Sequence, residues 1–346
     1  MKEIKLIAID LAKHIFQIHG CDERGQEVLS RQIKSRGKLR EFMMKLKPCV
    51  VGMEASGGSH HWGRLFKEMG HEVRMVAPQF VKPFVRGEKN DRNDARAIAE
   101  AIRRPEMRFV SVKSLAQQDV QSLHRIRSRL VKTRTMLSNE ARGILGEYGV
   151  AIGVGHKRLK EELLRISGNE DSGFSDLMRR ELIEIHRELR ELDRRILEIE
   201  KYFIESCKAN DVCKRLMTIP GVGPMTSTAI WAHVGSGSLF KNGRQFAAYF
   251  GLVPRQNSSG GKARLGSITK RGDRYIRQLL IHGARSVIRF NAWKKDPRSL
   301  WIDRIDRERG RNKACVALAN KNARIIWVLM TRNESYKEEI GNRKAA

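Results

Sequence analysis

The sequence predicts a mixed α/β module at the front, a long-helix connector in the middle and a mainly α-helical module at the end. Three observations carry this. Strand-like and helix-like segments alternate over residues 4–110. Apolar residues then recur at heptad spacing. The surplus of positive charge falls mostly in the last third. The expected boundaries are 1–110, 111–215 and 216–346, in keeping with about 100–200 residues per domain.

In the first module, residues 4–9 (Ile-Lys-Leu-Ile-Ala-Ile) are β-rich and end at Asp10. A second strand-like run at 15–19 and a third at 27–33 flank the polar turn 21–26, which predicts an antiparallel meander. A helix follows from Lys38 to Leu46, then a buried strand at 49–53 ending at Glu54, a helix at 60–69 and a strand at 72–76. The segment Lys89-Asn90-Asp91-Arg92-Asn93-Asp94-Ala95-Arg96 opens a helix that continues through Ile98, Ala101 and Ile102.

Four carboxylates stand out in this framework. Asp10 and Glu54 close strands, and Asp91 and Asp94, three apart, share one helical face. Hard carboxylate oxygens suit Mg²⁺. Two such ions about 3.5–4 Å apart clamp the attacking and leaving oxygens of a phosphodiester. The competing explanation is ordinary loop acids, with Asp91 as a helix cap. His60 and His61 are further ligand candidates, although solvated loop histidines are the simpler reading.

The middle module begins with a helix over about 113–147, where Leu123, Leu130, Leu137 and Ile144 fall seven apart. Ile185, Leu189, Leu192, Ile196, Ile199 and Phe203 alternate spacings of four and three. Two long helices follow, as an antiparallel hairpin within the chain or as a dimerising coiled coil. The favoured role is oligomerisation. Arg125, Arg127, Arg129, Lys132 and Arg134 on the first helix are a solvated face or a phosphate contact.

In the last module, Leu216-Met217-Thr218-Ile219-Pro220-Gly221-Val222-Gly223-Pro224-Met225-Thr226 resembles a helix-hairpin-helix, whose backbone amides meet phosphate without reading bases. A helix over 226–233 follows. Next comes the basic loop Arg255-Gln256-Asn257-Ser258-Ser259-Gly260-Gly261-Lys262, continuing through Arg264, Lys270, Arg271 and Arg274 to a helix carrying Tyr275, Ile276, Leu279 and Leu280. The paired serines are candidate nucleophiles. On residue types alone, a flexible phosphate-binding loop explains them better.

Charge narrows the partner. The chain has 68 Lys+Arg against 39 Asp+Glu, a formal net charge of +29 over 346 residues. Of this, +17 lies in residues 216–346, against +8 in 1–110 and +4 in 111–215. A surplus of this size points to a polyanion, with nucleic acid first and an acidic membrane surface second. No apolar run approaches the ~20 residues of a membrane span, and the N-terminal residues lack signal-peptide patterning. Five scattered cysteines show no metal-ligand spacing. These features predict a cytoplasmic protein with packed, reduced thiols.

Taken together, the motifs are similar to those of the DEDD transposases of the insertion sequence 110 family, relatives of the Piv/MooV site-specific DNA invertases. The similarity rests on Ile9-Asp10-Leu11-Ala12-Lys13, Gly52-Met53-Glu54-Ala55-Ser56-Gly57-Gly58, 89–95, 219–224, 251–262 and 268–277. It spans almost the whole chain, and the serine-loop form resembles the branch with subterminal inverted repeats. The resemblance implies an RNase H-like, RuvC-like first domain with Asp10, Glu54, Asp91 and Asp94 as its metal-binding catalytic carboxylates. It implies a C-terminal transposase domain whose catalytic serine maps to Ser258 or Ser259, with Ser258 preferred. It also implies Mg²⁺, two ions per site, and a bridge RNA that pairs with donor and target DNA. Arg255, Lys262, Arg264, Lys270, Arg271 and Arg274 are the expected nucleic-acid contacts, and a tetramer built as a dimer of dimers is the expected assembly. The alternatives are a RuvC-like structure-specific endonuclease that uses water, and a non-enzymatic architectural binder.

Overall fold

Strands and helices alternate through the first third of the chain in the order β1 (Leu6–Leu11), β2 (Phe16–Cys21), β3 (Glu27–Ile33), α1 (Arg36–Met44), β4 (Val50–Glu54), α2 (Ser59–Glu68), β5 (Glu72–Val76), α3 (Pro78–Val81), α4 (Asp91–Ile102) and β6 (Phe109–Val110). The computed structural model describes residues 3–88, 90–291 and 294–336. Met1, Lys2 and Lys89, which enter the sequence readings above, lie outside them. The packing divides the chain into two units, Met1–Gln117 with Val234–Lys241, and Gln118–His233 with Asn242–Ala346. The middle and last thirds of the sequence therefore fall largely in one unit.

In the first unit the strands form one sheet in the order β3-β2-β1-β4-β5-β6. The meander β1-β2-β3 is antiparallel, β4 and β5 add in parallel, and β6 closes the edge antiparallel. β1 is buried on both faces because its four apolar residues are continuous. Side-chain alternation sorts them. Ile7 and Ile9 join Phe16, Ile18, Val51 and Met53 in a core covered by Leu39 and Met43 of α1 and Trp62 and Phe66 of α2. Leu6 and Ala8 join a second core with Ala97, Ile98, Ala101 and Ile102 of α4. The sheet thus separates two helical layers. Gly52 lets α4 close on β4: a Cβ there would lie 2.1 Å from Ile102 Cδ1.

In the second unit, α5 (Leu115–Glu147) and α7 (Asp176–Ala209) are 33 and 34 residues long, with α6 (His156–Ser167) between them. The two long helices run antiparallel within the chain. Arg127 pairs with Glu200, and Arg134 pairs with Asp193 at 2.7 Å. Leu137 and Ile144 pack against a core built from Ala141, Leu145, Leu159, Leu163, Leu182 and Leu189. The heptad seam is therefore spent on an intrachain partner. Arg127 and Arg134 are half-buried in these ion pairs, so they hold the hairpin together instead of offering the phosphate contact weighed above.

The remainder is α8 (Asp211–Met217), α9 (Pro224–Val234), α10 (Gly243–Tyr249), the two-stranded β7 (Pro254–Gln256) and β8 (Leu265–Ile268), then α11 (Arg274–Arg289), α12 (Pro297–Arg309) and α13 (Arg311–Arg332). Side-chain caps start α8, α10, α11 and α12 at Asn210, Asn242, Asp273 and Asp296. The buried side chains of α13 include Leu318, Ala323, Ile326 and Leu329, and this helix packs against α10, α11 and α12. The turn between α8 and α9 carries Gly221 at φ +87, and Gly283 of α11 approaches it so closely that a Cβ on Gly283 would sit 1.9 Å from the Gly221 carbonyl. All five cysteines are free and buried, as expected of packed thiols. No helix among the described residues is long and apolar enough to cross a membrane.

Candidate active site

The alternation that sorts the core also places the carboxylates. Asp10 follows Leu6 and Ala8 on the even positions of β1, and Glu54 follows Gly52 on β4, so both belong to the face that α4 covers. Ile9 pairs with Met53 in the parallel ladder, and Asp10 and Glu54 come next on their strands. Asp91 and Asp94 occupy the first turn of α4. The cap of that helix is Asn90, whose side chain accepts the Asn93 N–H at 2.9 Å. Asp91 is therefore not the N-cap, which removes the simplest structural reason for its presence.

Three of these charges act on Asp10. The Asp10 carboxyl is pushed up to about 6, first by burial and then by the negative charges of Asp94, Asp91 and Glu54, against the opposing pull of the Leu11 N–H. This repulsion at Asp10 is what a cation relieves, and the donors are hard oxygens suited to magnesium. Among the described residues no three His, Cys, Asp or Glu side chains are grouped to hold an ion by themselves. Water and phosphate oxygens would complete the shell, as magnesium favours. The donor chemistry of these residues suits a divalent cation on those terms. His60 does not join them. It lies in α2 instead of a loop, and its ring nitrogens meet Lys113 N at 3.2 Å and Lys113 Nζ at 3.1 Å. His61 packs edge-on against Trp62.

The serine segment differs from the flexible loop expected of its composition. β7 and β8 make a hairpin, and the Lys262 N–H donates to the Ser259 carbonyl at 3.0 Å across Gly260 and Gly261. Both glycines have positive φ, +55 and +76, the signature of a two-residue type I′ turn. A Cβ on either would meet nothing within 4 Å, so the tip is open to an approaching backbone. Ser258 Oγ accepts two hydrogen bonds, from Gln256 Nε2 at 3.0 Å and from the Arg264 backbone N–H at 3.1 Å. Arg255, Lys262 and Arg264 on the hairpin and Lys270, Arg271 and Arg274 at its root are all exposed.

The root is tightly packed. Arg277 is buried and donates to the Phe250 and Arg271 carbonyls at 3.1 and 2.9 Å, tying the two arms together. Gly251 and Gly272 both have positive φ, and a Cβ on Gly272 would sit 2.0 Å from the Tyr249 carbonyl. Beneath α11, the His124 ring bonds Tyr275 and Thr228 at 3.0 Å each and stacks on Phe203. Burial drives its pKa down to about 3, so it is a neutral strut.

Family models match both the carboxylate-bearing and the serine-bearing parts of the chain. A DEDD transposase family model covers residues 7–150, and the model described as "Transposase IS116/IS110/IS902 family" covers residues 213–298. A probable family 20 transposase of Pseudomonas aeruginosa is 48% identical over 96% of this chain and 98% of its own length. The transposase for insertion sequence element IS1111A of Coxiella burnetii is 48% identical over 97% of this chain and 92% of its own. The chain belongs to the IS110 family of DEDD transposases. Part of this transposase is also similar to the pilin gene-inverting protein of Moraxella bovis, 28% identical over 36% of this chain and 38% of that protein.

Membership makes the transposase an enzyme that cuts and rejoins DNA, and the DEDD family implies dependence on a divalent metal. Gln256 and Arg277 of this transposase lie within the sequence motifs, which give neither a task of its own. The signal for Gln256 was its place two residues before Ser258. Arg277 gave none, because a buried arginine in a basic helix looks like its exposed neighbours. The root glycine offers a direct test. Gly272→Ala combines a left-handed φ with a backbone clash and is expected to cost on the order of 2–4 kcal/mol. Gly260→Ala, with open space around it, is expected to cost about 1–2 kcal/mol. Urea unfolding of the two variants measures the difference, and equal midpoints would contradict the tightly packed root.

Proposed function

We propose that this transposase exchanges DNA strands through a covalent phosphoserine, with Asp10, Glu54, Asp91 and Asp94 holding Mg²⁺, two ions per site, and Ser258 as nucleophile. The observation that carries this reading is the placement of Asp10 and Glu54 at the ends of neighbouring strands and of Asp91 and Asp94 in the first turn of the helix that covers that face, in a sheet ordered β3-β2-β1-β4-β5. That order supports an RNase H-like fold for the first unit. Bound magnesium would stabilise negative charge on the attacking and departing oxygens. Ser258 Oγ forms a bond to phosphorus, the bond to the 3′ oxygen breaks, and the 3′ oxygen leaves as a hydroxyl. That hydroxyl then attacks the phosphoserine of the partner strand and releases the serine. The ester conserves the phosphodiester linkage, which a water nucleophile would lose.

In the same reading 1–110 is the metal-binding catalytic domain, 111–215 the helical connector, and 216–346 the transposase domain that carries the catalytic serine and the nucleic-acid contacts. The α8–α9 turn serves as a helix-hairpin-helix, the α5–α7 pair is an intrachain helical connector, the assembly is a tetramer built as a dimer of dimers, and Arg255, Lys262, Arg264, Lys270, Arg271 and Arg274 contact phosphate. Sequence choice is delegated to a bridge RNA that pairs with donor and target DNA. The protein acts in the cytoplasm, on nucleoid DNA. The test is to express the full chain with its complete element, react it with a duplex spanning the element's end in Mg²⁺, and digest the product. A nucleotide attached to the peptide containing Ser258 is expected. Cut DNA with a free 5′ phosphate and no modified peptide would favour the water-using endonuclease.

A further inference from the structure

We infer that Gln256 is a catalytic residue that works on the serine oxygen itself, stabilising Ser258 Oγ as it gains negative charge in cleavage and again as it departs in strand joining. This rests on the reading of Ser258 as nucleophile. The hairpin brings two N–H donors to one oxygen: the Gln256 side chain at 3.0 Å and the Arg264 backbone at 3.1 Å. The backbone ladder explains why both reach it. Asn257 N–H donates to the Arg264 carbonyl at 3.0 Å, and the Arg264 N–H faces the same opposite arm. The Ser258 side chain accepts it. Gln256, two residues earlier, projects to the same side of the strand. Ser258 Oγ is thus an acceptor twice over, and its own proton is not needed for either bond.

That polarity suits a nucleophile. Hydrogen bonds donated to an oxygen favour its charged form over its neutral one. In cleavage, the Oγ–P bond forms, the P–O3′ bond breaks, the serine proton passes to solvent and the departing 3′ oxygen takes one up. In joining, the incoming 3′-hydroxyl loses its proton, the new O3′–P bond forms and Oγ leaves, again carrying charge before it is protonated. Two donors fixed on Oγ serve both directions, as an oxyanion hole serves both halves of an acyl transfer. The exposed side chains of Arg255, Lys262 and Arg264 add a positive field around the same atom. Ser259 has a different task, its carbonyl accepting Lys262 N–H at the I′ turn.

The experiment compares Gln256→Ala and Gln256→Glu with the unsubstituted chain, following covalent protein–DNA adduct formation on the element-end duplex from pH 6 to 10. Glutamate keeps the size of glutamine but cannot donate. Both variants are expected to lose about 10- to 100-fold in adduct rate, and the alkaline rise of the rate should move to higher pH, with DNA affinity unchanged. Full activity in Gln256→Glu would overturn the inference, because an acceptor would then serve as well as a donor. So would a loss that is the same at every pH, which marks a spacer. Ser258→Ala, run in parallel, separates the two claims. Adduct that survives it overturns the serine reading, whereas adduct lost there but unaffected in both Gln256 variants overturns only the role of Gln256.

Discussion

Replacing Asp10 by asparagine is expected to abolish strand cleavage, by at least about 10³-fold, while leaving DNA binding intact and making the metal-free protein more stable. The two effects share a cause. In the fold, the Asp10 carboxyl is raised from 3.8 to about 6 by burial and by Asp94, Asp91 and Glu54. A raised acid favours the folded state when protonated, so its contribution is fully present below about pH 4 and is lost as pH rises through about 6. At pH 7–8 the ionised carboxylate therefore strains the metal-free fold, and a neutral amide of the same shape removes the strain. The shift corresponds to at most about 3 kcal/mol, and solvent screening at a carboxyl this open brings it to on the order of 1 kcal/mol. Thermal unfolding at pH 7.5 and pH 4 checks the sign: the Asp10→Asn advantage should be present at the first and vanish at the second. Mg²⁺ should raise the melting temperature of the unsubstituted chain through preferential binding to the folded state, and do little for Asp10→Asn. Protons compete for the same oxygen, so cleavage should decline as pH falls below about 6. A variant that cleaves normally, or one that is less stable at pH 7.5, would remove Asp10 from the metal site.

The legibility of this site follows from the physics of strands. Asp10 and Glu54 were visible in the sequence because a continuous apolar run is a buried strand and its first charged residue marks the end of burial. Asp91 and Asp94 were visible because a spacing of three means one helical face. The identity of the cap was not, since Asn90 and Asp91 are both good caps and only the Asn90–Asn93 bond decides between them. A heptad seam reads the same whether its partner lies in the same chain or another. The pairings of Arg127 with Glu200 and Arg134 with Asp193 settle this for α5 and α7, across separations of 73 and 59 residues that local pattern cannot see. The hairpin around Ser258 was hidden for another reason. Pro254-Arg255-Gln256 and Leu265-Gly266-Ser267 are exposed on both faces, so they lack the alternation of a half-buried strand. The Gly260-Gly261 pair was the one signal of the turn.

That hairpin separates the two serines, and their substitution is the second large effect. Ser258→Ala is expected to eliminate the covalent adduct and strand exchange, by roughly 10³-fold or more, as loss of a nucleophile does elsewhere. Ser259→Ala should retain both within about threefold. The asymmetry comes from what each residue gives the hairpin. Ser258 presents an oxygen to two N–H donors, an arrangement that prepares it to bear charge. Ser259 gives its backbone carbonyl to Lys262, a bond that alanine makes equally well. Neither change should alter stability by more than about 0.5 kcal/mol, because both side chains are exposed and water can satisfy the Arg264 N–H once Ser258 Oγ is gone. Matched unfolding curves would therefore assign a lost activity to chemistry instead of folding. An adduct that survives Ser258→Ala and disappears in Ser259→Ala would move the nucleophile one residue along the turn. Cleavage at full rate in both would remove serine from the reaction and leave water as the attacking group at the carboxylates.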